Sequence, residues 1–153
     1  MSRKGNDCWQ TPPSLFKQLN DIFNFTIDVA CDSDNCLIDL PAFQGGFRID
    51  RGLDGLRENW SCFRCFCNPP FSDKAKWIEK AYNEVINGEC PICVMILPTN
   101  CIDTKAWHKY IEGKVHYEIL EGRVSFIDPN TGKPESGNNS GTAIVYFKKR
   151  ITR

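Results

Sequence analysis

Apolar and polar positions along the chain change period several times, and each change marks an element. In "PPSLFKQLNDIF", residues 12–23, Leu15, Phe16, Leu19, Ile22 and Phe23 fall on one face at helical spacing. Thr11 and the two prolines behind it give that helix its start, with Thr11 as the cap. The β-branched run "FTIDVAC", 25–31, reads as a strand opening into the polar loop "DSDN". Residues 36–60 carry a glycine pair, "RGLDGL" and scattered charge, which predicts a short strand over 37–40 and mostly loop after it. "CFRCFC", 62–67, is a strand that two prolines cut off, because proline has no N–H to give a ladder. Trp77, Ile78, Ala81, Tyr82 and Val85 then form the buried face of a helix over 74–86, with Ser72 or Asp73 as cap and Gly88 as stop. "PICVMILP", 91–98, is continuously apolar, the mark of a strand covered on both faces.

A helix over 103–112, a strand over 114–120 and a closing antiparallel pair over 123–127 and 141–149 complete the order. Between the last two lies "DPNTGKPESGNNS", turn formers with nothing to bury, so 128–141 is expected to be a flexible loop and 1–8 a flexible tail. The alternation predicts one domain over 1–153, an α/β fold with a mainly parallel sheet, an antiparallel edge hairpin and helices on both faces. Ligands of such sheets bind outside the carboxyl ends of the strands. That points to the loops after Cys31, Cys67 and Leu97.

Composition narrows the picture. A chain of 153 residues, 41% apolar, buries a core without help from metal or disulfide. Nineteen basic residues balance nineteen acidic ones, so any polyanion must be met locally rather than drawn in by a general field. No run reaches the roughly 18 apolar residues that span a bilayer, and the first ten residues lack the apolar segment of a signal peptide; the expectation is a cytoplasmic protein with no membrane partner. Nine cysteines in that setting read as reduced thiols, with Cys65, Cys67 and Cys93 serving as small apolar side chains in strands. Cys62 with Cys65 and Cys90 with Cys93 make two C-x-x-C pairs, which admit a second reading, a non-catalytic zinc-bearing nucleic-acid binding module. Their flanks, however, read as core strands rather than the Gly-containing knuckles that wrap a metal.

Asn68, Pro69, Pro70 and Phe71 carry the sharpest chemistry. An exocyclic amine on a base is a poor nucleophile, because its lone pair is delocalised into the ring. The side-chain oxygen of Asn68 and the main-chain carbonyl of Pro69 are two acceptors for its N–H groups, fixed in advance by the prolines. Phe71, taken as an exposed aromatic, offers a face for a base swung out of a duplex.

"NPPF" after an apolar strand resembles motif IV, the [DNS]-P-P-[YFW] signature of amino-methyltransferases. With "WQTPPSLFKQLN", "FTIDVACDSDN", "DGLRENW", "VMILPTN", "AWHKYI" and "LEGRVSF" in order around it, the chain from about residue 9 to 147 resembles the phage and prophage Dam-like DNA N6-adenine methyltransferases. The resemblance implies a Rossmann-like class I methyltransferase fold, S-adenosylmethionine as methyl donor, and double-stranded DNA as partner with its target adenine flipped out. It also implies a bacterial host cytoplasm, protection of DNA from host nucleases as the purpose, and no metal. Residue by residue, Asn68, Pro69, Pro70 and Phe71 are the implied catalytic set, and Asn68 also faces the cofactor. Thr11 and Pro12 match the segment that touches the cofactor's methionine carboxylate. Asp28 and Ala30 match motif I under the cofactor, although the F-x-G-x-G glycines of the wider superfamily are absent. Asp54 matches the acid that accepts from the cofactor's adenine, while Asp32, Asp34 and Asp39 compete for the ribose. Arg123, Lys133 and Ser72 are the implied DNA contacts. The same tetrad serves enzymes that methylate RNA adenine or a protein glutamine amide, so the acceptor stays open, as do the target sequence and the oligomeric state, monomer or homodimer.

Overall fold

The computed structural model describes residues 10–32, 35–38, 45–128, 131–134 and 140–149. The expected tail over 1–8, Asp34, Asp39 and part of the 128–141 loop lie outside the described residues. Within them run the helices α1 (Pro13–Phe23), α2 (Lys74–Val85) and α3 (Lys105–Tyr110), with strands β1 (Ile27–Cys31), β2 (Gly46–Arg48), β3 (Arg64–Cys67) and β4 (Ile92–Pro98), then β5 (His116–Ile119), β6 (Ile127–Asp128), β7 (Lys133–Pro134) and β8 (Thr142–Phe147). Six strands form a sheet in the order β2-β1-β3-β4-β8-β5, parallel from β2 to β4 and antiparallel where β8 joins β4 and β5.

Strand periodicity sorts the core into two layers. Cys93, Met95 and Leu97 of β4, with Cys65 and Cys67 of β3 and Val145 and Phe147 of β8, cluster with Trp77, Ile78, Ala81 and Val85 of α2 and with Trp107 of α3. Val94 and Ile96, with Phe66 and Ile144, cluster with Phe16 and Leu19 of α1. Helices therefore cover both faces, as the uninterrupted apolar run of β4 requires, and all seven of its residues are buried. Cys65, Cys67 and Cys93 are each 0% exposed, the small apolar filling their strand positions predict.

Three local expectations are corrected. Residues 37 and 38 form no strand; the edge strand is β2, which pairs parallel to β1 with Gly46 opposite Asp28. A Cβ at Gly46 would lie 2.6 Å from both Cys31 Sγ and Cys36 Sγ, so the glycine that masks the strand pattern is what lets the strand dock. The partners of β8 are β4 and β5, whereas 123–126 is irregular, β6 pairs with β7 and Ile127 bridges to Gln10. An outermost strand must tolerate water, and β5 does: His116, Glu118 and Ile119 are exposed while Tyr117 turns in, 4.9 Å edge-on to Trp107. Finally, Thr11 is not the cap of α1, whose N-cap position Pro12 holds; of the two candidates for α2, Asp73 holds the N-cap position, and neither Pro12 nor Asp73 caps with a side-chain bond. Among the described residues no helix is long and apolar enough to cross a membrane.

The segment after β2 is fastened to α2 through tryptophan. The Trp60 indole donates to Gly55 O at 2.8 Å and stacks on Trp77, centroids 6.3 Å apart. Lys80 donates to Glu58 O at 2.7 Å, meets Glu84 at 2.6 Å and stands 5.6 Å from the Trp60 ring. Gly55 is pressed between β1 and α2: a Cβ there would fall 1.8 Å from Val29 O and 2.8 Å from the Trp77 ring. Gly55→Ala is therefore expected to lower the unfolding free energy by about 3 kcal/mol through overpacking. Gly52→Ala, at φ 81° with open space around it, should cost only about 1 kcal/mol. Urea denaturation of the two variants checks the contrast, and equal losses would contradict it.

Candidate functional site

β3 stops at Cys67 because neither Pro69 nor Pro70 can donate to its neighbours. The chain leaves through Pro70 at φ −56°, ψ 134° into a 3-10 turn, Phe71–Asp73, closed by Asp73 N donating to Pro70 O at 3.1 Å. Both prolines are buried and Asn68 is half-buried. β1 and β3 run parallel with Asp28 opposite Phe66, so carrying the register two residues further puts Asn68 level with Ala30. Gln10, Thr11, Asp28, Ala30, Asn35, Leu37, Phe66 and Asn68 line one cleft there. Four residues singled out for the cofactor, Thr11, Asp28, Ala30 and Asn68, thus meet from three separate segments.

The polar groups in this cleft are held in distinct ways. Asp28 is 3% exposed, and its Oδ1 accepts from Ala30 N at 3.2 Å. Asp32 N donates to Asn35 Oδ1 at 2.7 Å and Asn35 N to Asp32 Oδ1 at 3.0 Å, so Asp32 closes a turn, and Gln10 Nε2 donates to Asn35 O at 3.5 Å. The Thr11 hydroxyl is different: it is buried and has no hydrogen-bond partner among the described residues. A buried hydroxyl left unpaired costs about 1–3 kcal/mol, and a polar ligand in the cleft would relieve it. In chemistry the lining therefore suits the carboxylate and amine of an amino-acid-bearing cofactor. In size it does not yet, because about 10 Å³ admits at most one water. Asn35 and Leu37 reach the cleft from the stretch between β1 and β2 and belong to neither strand nor helix.

Of the other residues named from sequence, Pro12 lines a neighbouring groove with Ser14 and Leu15. Asp54 is not in the cleft lining; its Oδ1 accepts from Leu56 N at 3.0 Å and its carbonyl from Arg57 N and Glu58 N, the work of a turn residue. Phe71 is half-buried rather than exposed, edge-on to Phe126 at 6.3 Å and 89°. Ser72 is exposed and shares a groove of about 590 Å³ with Phe71, Lys74, Thr104 and Lys105. Arg123 is exposed and sits with Thr99 over Gly141, beyond the end of β4. Lys133 is exposed on the β6–β7 hairpin. Sequence reasoning missed Gln10, Asn35, Phe126 and Lys74. Only Lys74 had a local signal: three residues after Phe71, its Nζ donates to Phe71 O at 2.9 Å.

The cysteines divide sharply. Cys62 is exposed at φ 69°, while burial pushes Cys65 and Cys93, paired across β3 and β4, well above the usual thiol range. Cys65 Sγ is 3.6 Å from Cys90 Sγ, but the four C-x-x-C thiols do not converge; the one group of three metal-ligating side chains found together among the described residues is Asp28, Cys31 and Cys36. The zinc module anticipated on the C-x-x-C pairs is thereby corrected, because two of those thiols are core filling between strands. The mutual contact of Cys31 and Cys36 lowers Cys36 to about 7 and, together with burial, raises Cys31, whose thiol also donates to Asp28 O at 3.5 Å.

Comparison with known proteins gives a concordant picture. The family model described as DNA N-6-adenine-methyltransferase (Dam) matches residues 1–153. The DNA N-6-adenine-methyltransferase of Haemophilus phage HP1 (strain HP1c1) is 24% identical over 150 residues, covering 97% of this chain and 82% of the phage protein. The expected likeness to phage Dam-like proteins is met.

Thr11→Val removes the orphaned hydroxyl and keeps the branched shape. The unfolding free energy of the ligand-free protein is expected to stay the same or rise by about 1 kcal/mol. Thermal or urea unfolding measures it, and a loss beyond about 1 kcal/mol would mean that the hydroxyl is engaged.

Proposed function

The chain belongs to the DNA N-6-adenine-methyltransferase (Dam) family, and from that premise we propose that it transfers a methyl group from S-adenosylmethionine to the N6 amine of adenine in double-stranded DNA. The observation that carries this reading is the convergence of Asn68 with Thr11, Asp28 and Ala30 on one cleft at the ends of β1 and β3. Those four residues would hold the cofactor, with the Thr11 hydroxyl meeting a polar group of its methionine end. When bound, S-adenosylmethionine supplies an electrophilic methyl group.

The chain's own part is to prepare the amine. The Asn68 side-chain oxygen and the Pro69 carbonyl accept the two N–H bonds, which favours a lone pair localised on nitrogen. Because two buried prolines fix the turn, little reorganisation accompanies reaction, and no general base of unusual pKa is needed. The target base leaves the stack to reach these acceptors. Phe71, braced edge-on by Phe126 and by Lys74 on its carbonyl, offers the flipped base an aromatic face. With no net charge to attract DNA, phosphates must be met by local groups, and Ser72, Arg123 and Lys133, all exposed, are assigned that part.

The test is incubation of the purified protein with labelled S-adenosylmethionine and unmethylated duplex DNA, digestion to nucleosides and mass spectrometry, with RNA and bulk protein in parallel. N6-methyladenine is expected from DNA alone. Asn68→Ala is expected to lower turnover by about 100-fold or more, the usual cost of losing one preorganised electrostatic contact, with the fold retained by circular dichroism. Undiminished turnover in that variant would remove the mechanism; label in RNA or protein but not in DNA would move the acceptor.

A further inference from the structure

Two thiols and a carboxylate meet where β1 gives way to its loop. Cys31 ends β1, and Cys36 is brought back towards it because the intervening turn is closed by the reciprocal bonds of Asp32 and Asn35, 2.7 and 3.0 Å. One ligand atom each of Asp28, Cys31 and Cys36 lies within 4.8 Å of the other two. Asp28 and Cys31 are 3% and 0% exposed, and Cys36 is half-buried. Gly46 reports the same cluster from the neighbouring strand: a Cβ there would come 2.6 Å from each sulfur and 3.3 Å from Asp28 O. β2 can thus lie beside β1 only with a residue that leaves this space to the sulfurs. Neither sulfur has a part in the methylation chemistry.

We propose that Asp28, Cys31 and Cys36 form a binding site for a thiophilic divalent cation of the zinc class. Two thiolates and one carboxylate are a donor set that zinc takes at about 2.3 Å from sulfur and about 2.0–2.2 Å from oxygen. Magnesium and calcium prefer oxygen alone, so the two sulfurs select against them. Thiolates on a tetrahedral zinc stand about 3.8 Å apart by that geometry, so the cluster needs only a small contraction to close on an ion. Binding releases the thiol protons. Three protein ligands leave a fourth position for water or an exogenous donor. An ion held there would tie the loop bearing Asn35 and Leu37 to β1, beside the cleft those residues line. The site shares Asp28 with the proposed cofactor cleft, but its test reads cation binding rather than methylation and so is decided separately.

The experiment titrates cobalt(II) into the full chain, reduced and stripped with chelator. One cobalt per chain is expected, with a thiolate-to-cobalt charge-transfer absorption that zinc(II) abolishes by displacement. Cys31→Ser, Cys36→Ser and Asp28→Asn should each weaken cobalt binding by more than about 10-fold, the least that even an outer-shell change costs a metal site. Cys62→Ser, an exposed thiol elsewhere, should leave the absorption intact. Because Cys31 is fully buried its variant can fail to fold, so Cys36→Ser, at a half-buried position and checked by circular dichroism, decides the matter. No cobalt uptake by the wild type, or an undiminished absorption in Cys36→Ser, overturns the proposal. So does a Cys31–Cys36 disulfide formed on oxidation by a chain whose reduced form takes up no cation, which would make the pair a redox couple instead.

Discussion

Two consecutive prolines cannot give a β-ladder the N–H groups it needs, and the geometry of the candidate site depends on where they fall. β3 ends at Cys67, opposite Met95, while its neighbour β4 continues to Pro98 and stays paired with β8 to the end. On the other side β1 runs on to Cys31, three residues past the pairing of Asp28 with Phe66. Both neighbours therefore outrun β3, and the prolines open a notch in the carboxyl rim of the sheet. Asn68 stands in that notch, held by buried prolines on one side and the buried run Cys65, Phe66 and Cys67 on the other. A strand of ordinary length would have filled the gap and paired the backbone that the proposed chemistry leaves available as an acceptor.

The rigidity behind the notch comes from the layer of thiols and indoles. Cys65, Cys67 and Cys93 are small, so the helices on that face carry bulk, and Trp77 and Trp107 supply it with Trp60 stacked alongside. Phe71 is tied in turn to Phe126 and Lys74. Against this close packing, a few polar atoms stand out as buried without partners: Thr11 Oγ1, Trp77 Nε1 and Thr142 Oγ1 among the described residues. Thr11 lines the cleft, and Thr142 pairs with Pro98 at the rim end of β4. Unpaired polar groups are costly anywhere in a core, and their presence on the rim is the kind of local conflict that proteins keep where a ligand resolves it.

Long, strongly periodic segments were legible in the sequence. The face of α2, the burial of β4 on both sides and the stop after β3 follow from spacing and proline chemistry, because each is decided within a few neighbouring residues, whereas on α1 Phe16 and Leu19 are buried but Ile22, placed on the same face by its spacing, is 70% exposed. What escaped was decided across the chain. β2 is a strand because Gly46 fits beside two sulfurs fifteen and ten positions earlier in sequence, a fact no local pattern carries. The partner of β8 is β5 rather than the nearer run over 123–127, since pairing is settled by which strand tolerates an exposed face. Thr11 reads as a cap, yet Pro12 takes that position and leaves the hydroxyl in the cleft. Of the site, the tetrad and the end of β1 were readable as motifs. Gln10, Asn35 and Phe126 were not, because their meaning lies in what folds against them.

Asp28 links the two ends of this reading. It is buried in a strand flanked by β2 and β3, so it cannot move far, and one oxygen is already engaged by Ala30 N. The cleft on which it borders measures about 10 Å³, room for at most one water, so the proposed cofactor would require its lining to shift. Asn35 and Leu37 line it from the stretch between β1 and β2, where Asp32 and Asn35 close a turn by side-chain bonds rather than by a ladder. On the proposed reading, an ion on Asp28, Cys31 and Cys36 would hold one edge of this cleft while the buried prolines after β3 hold the other.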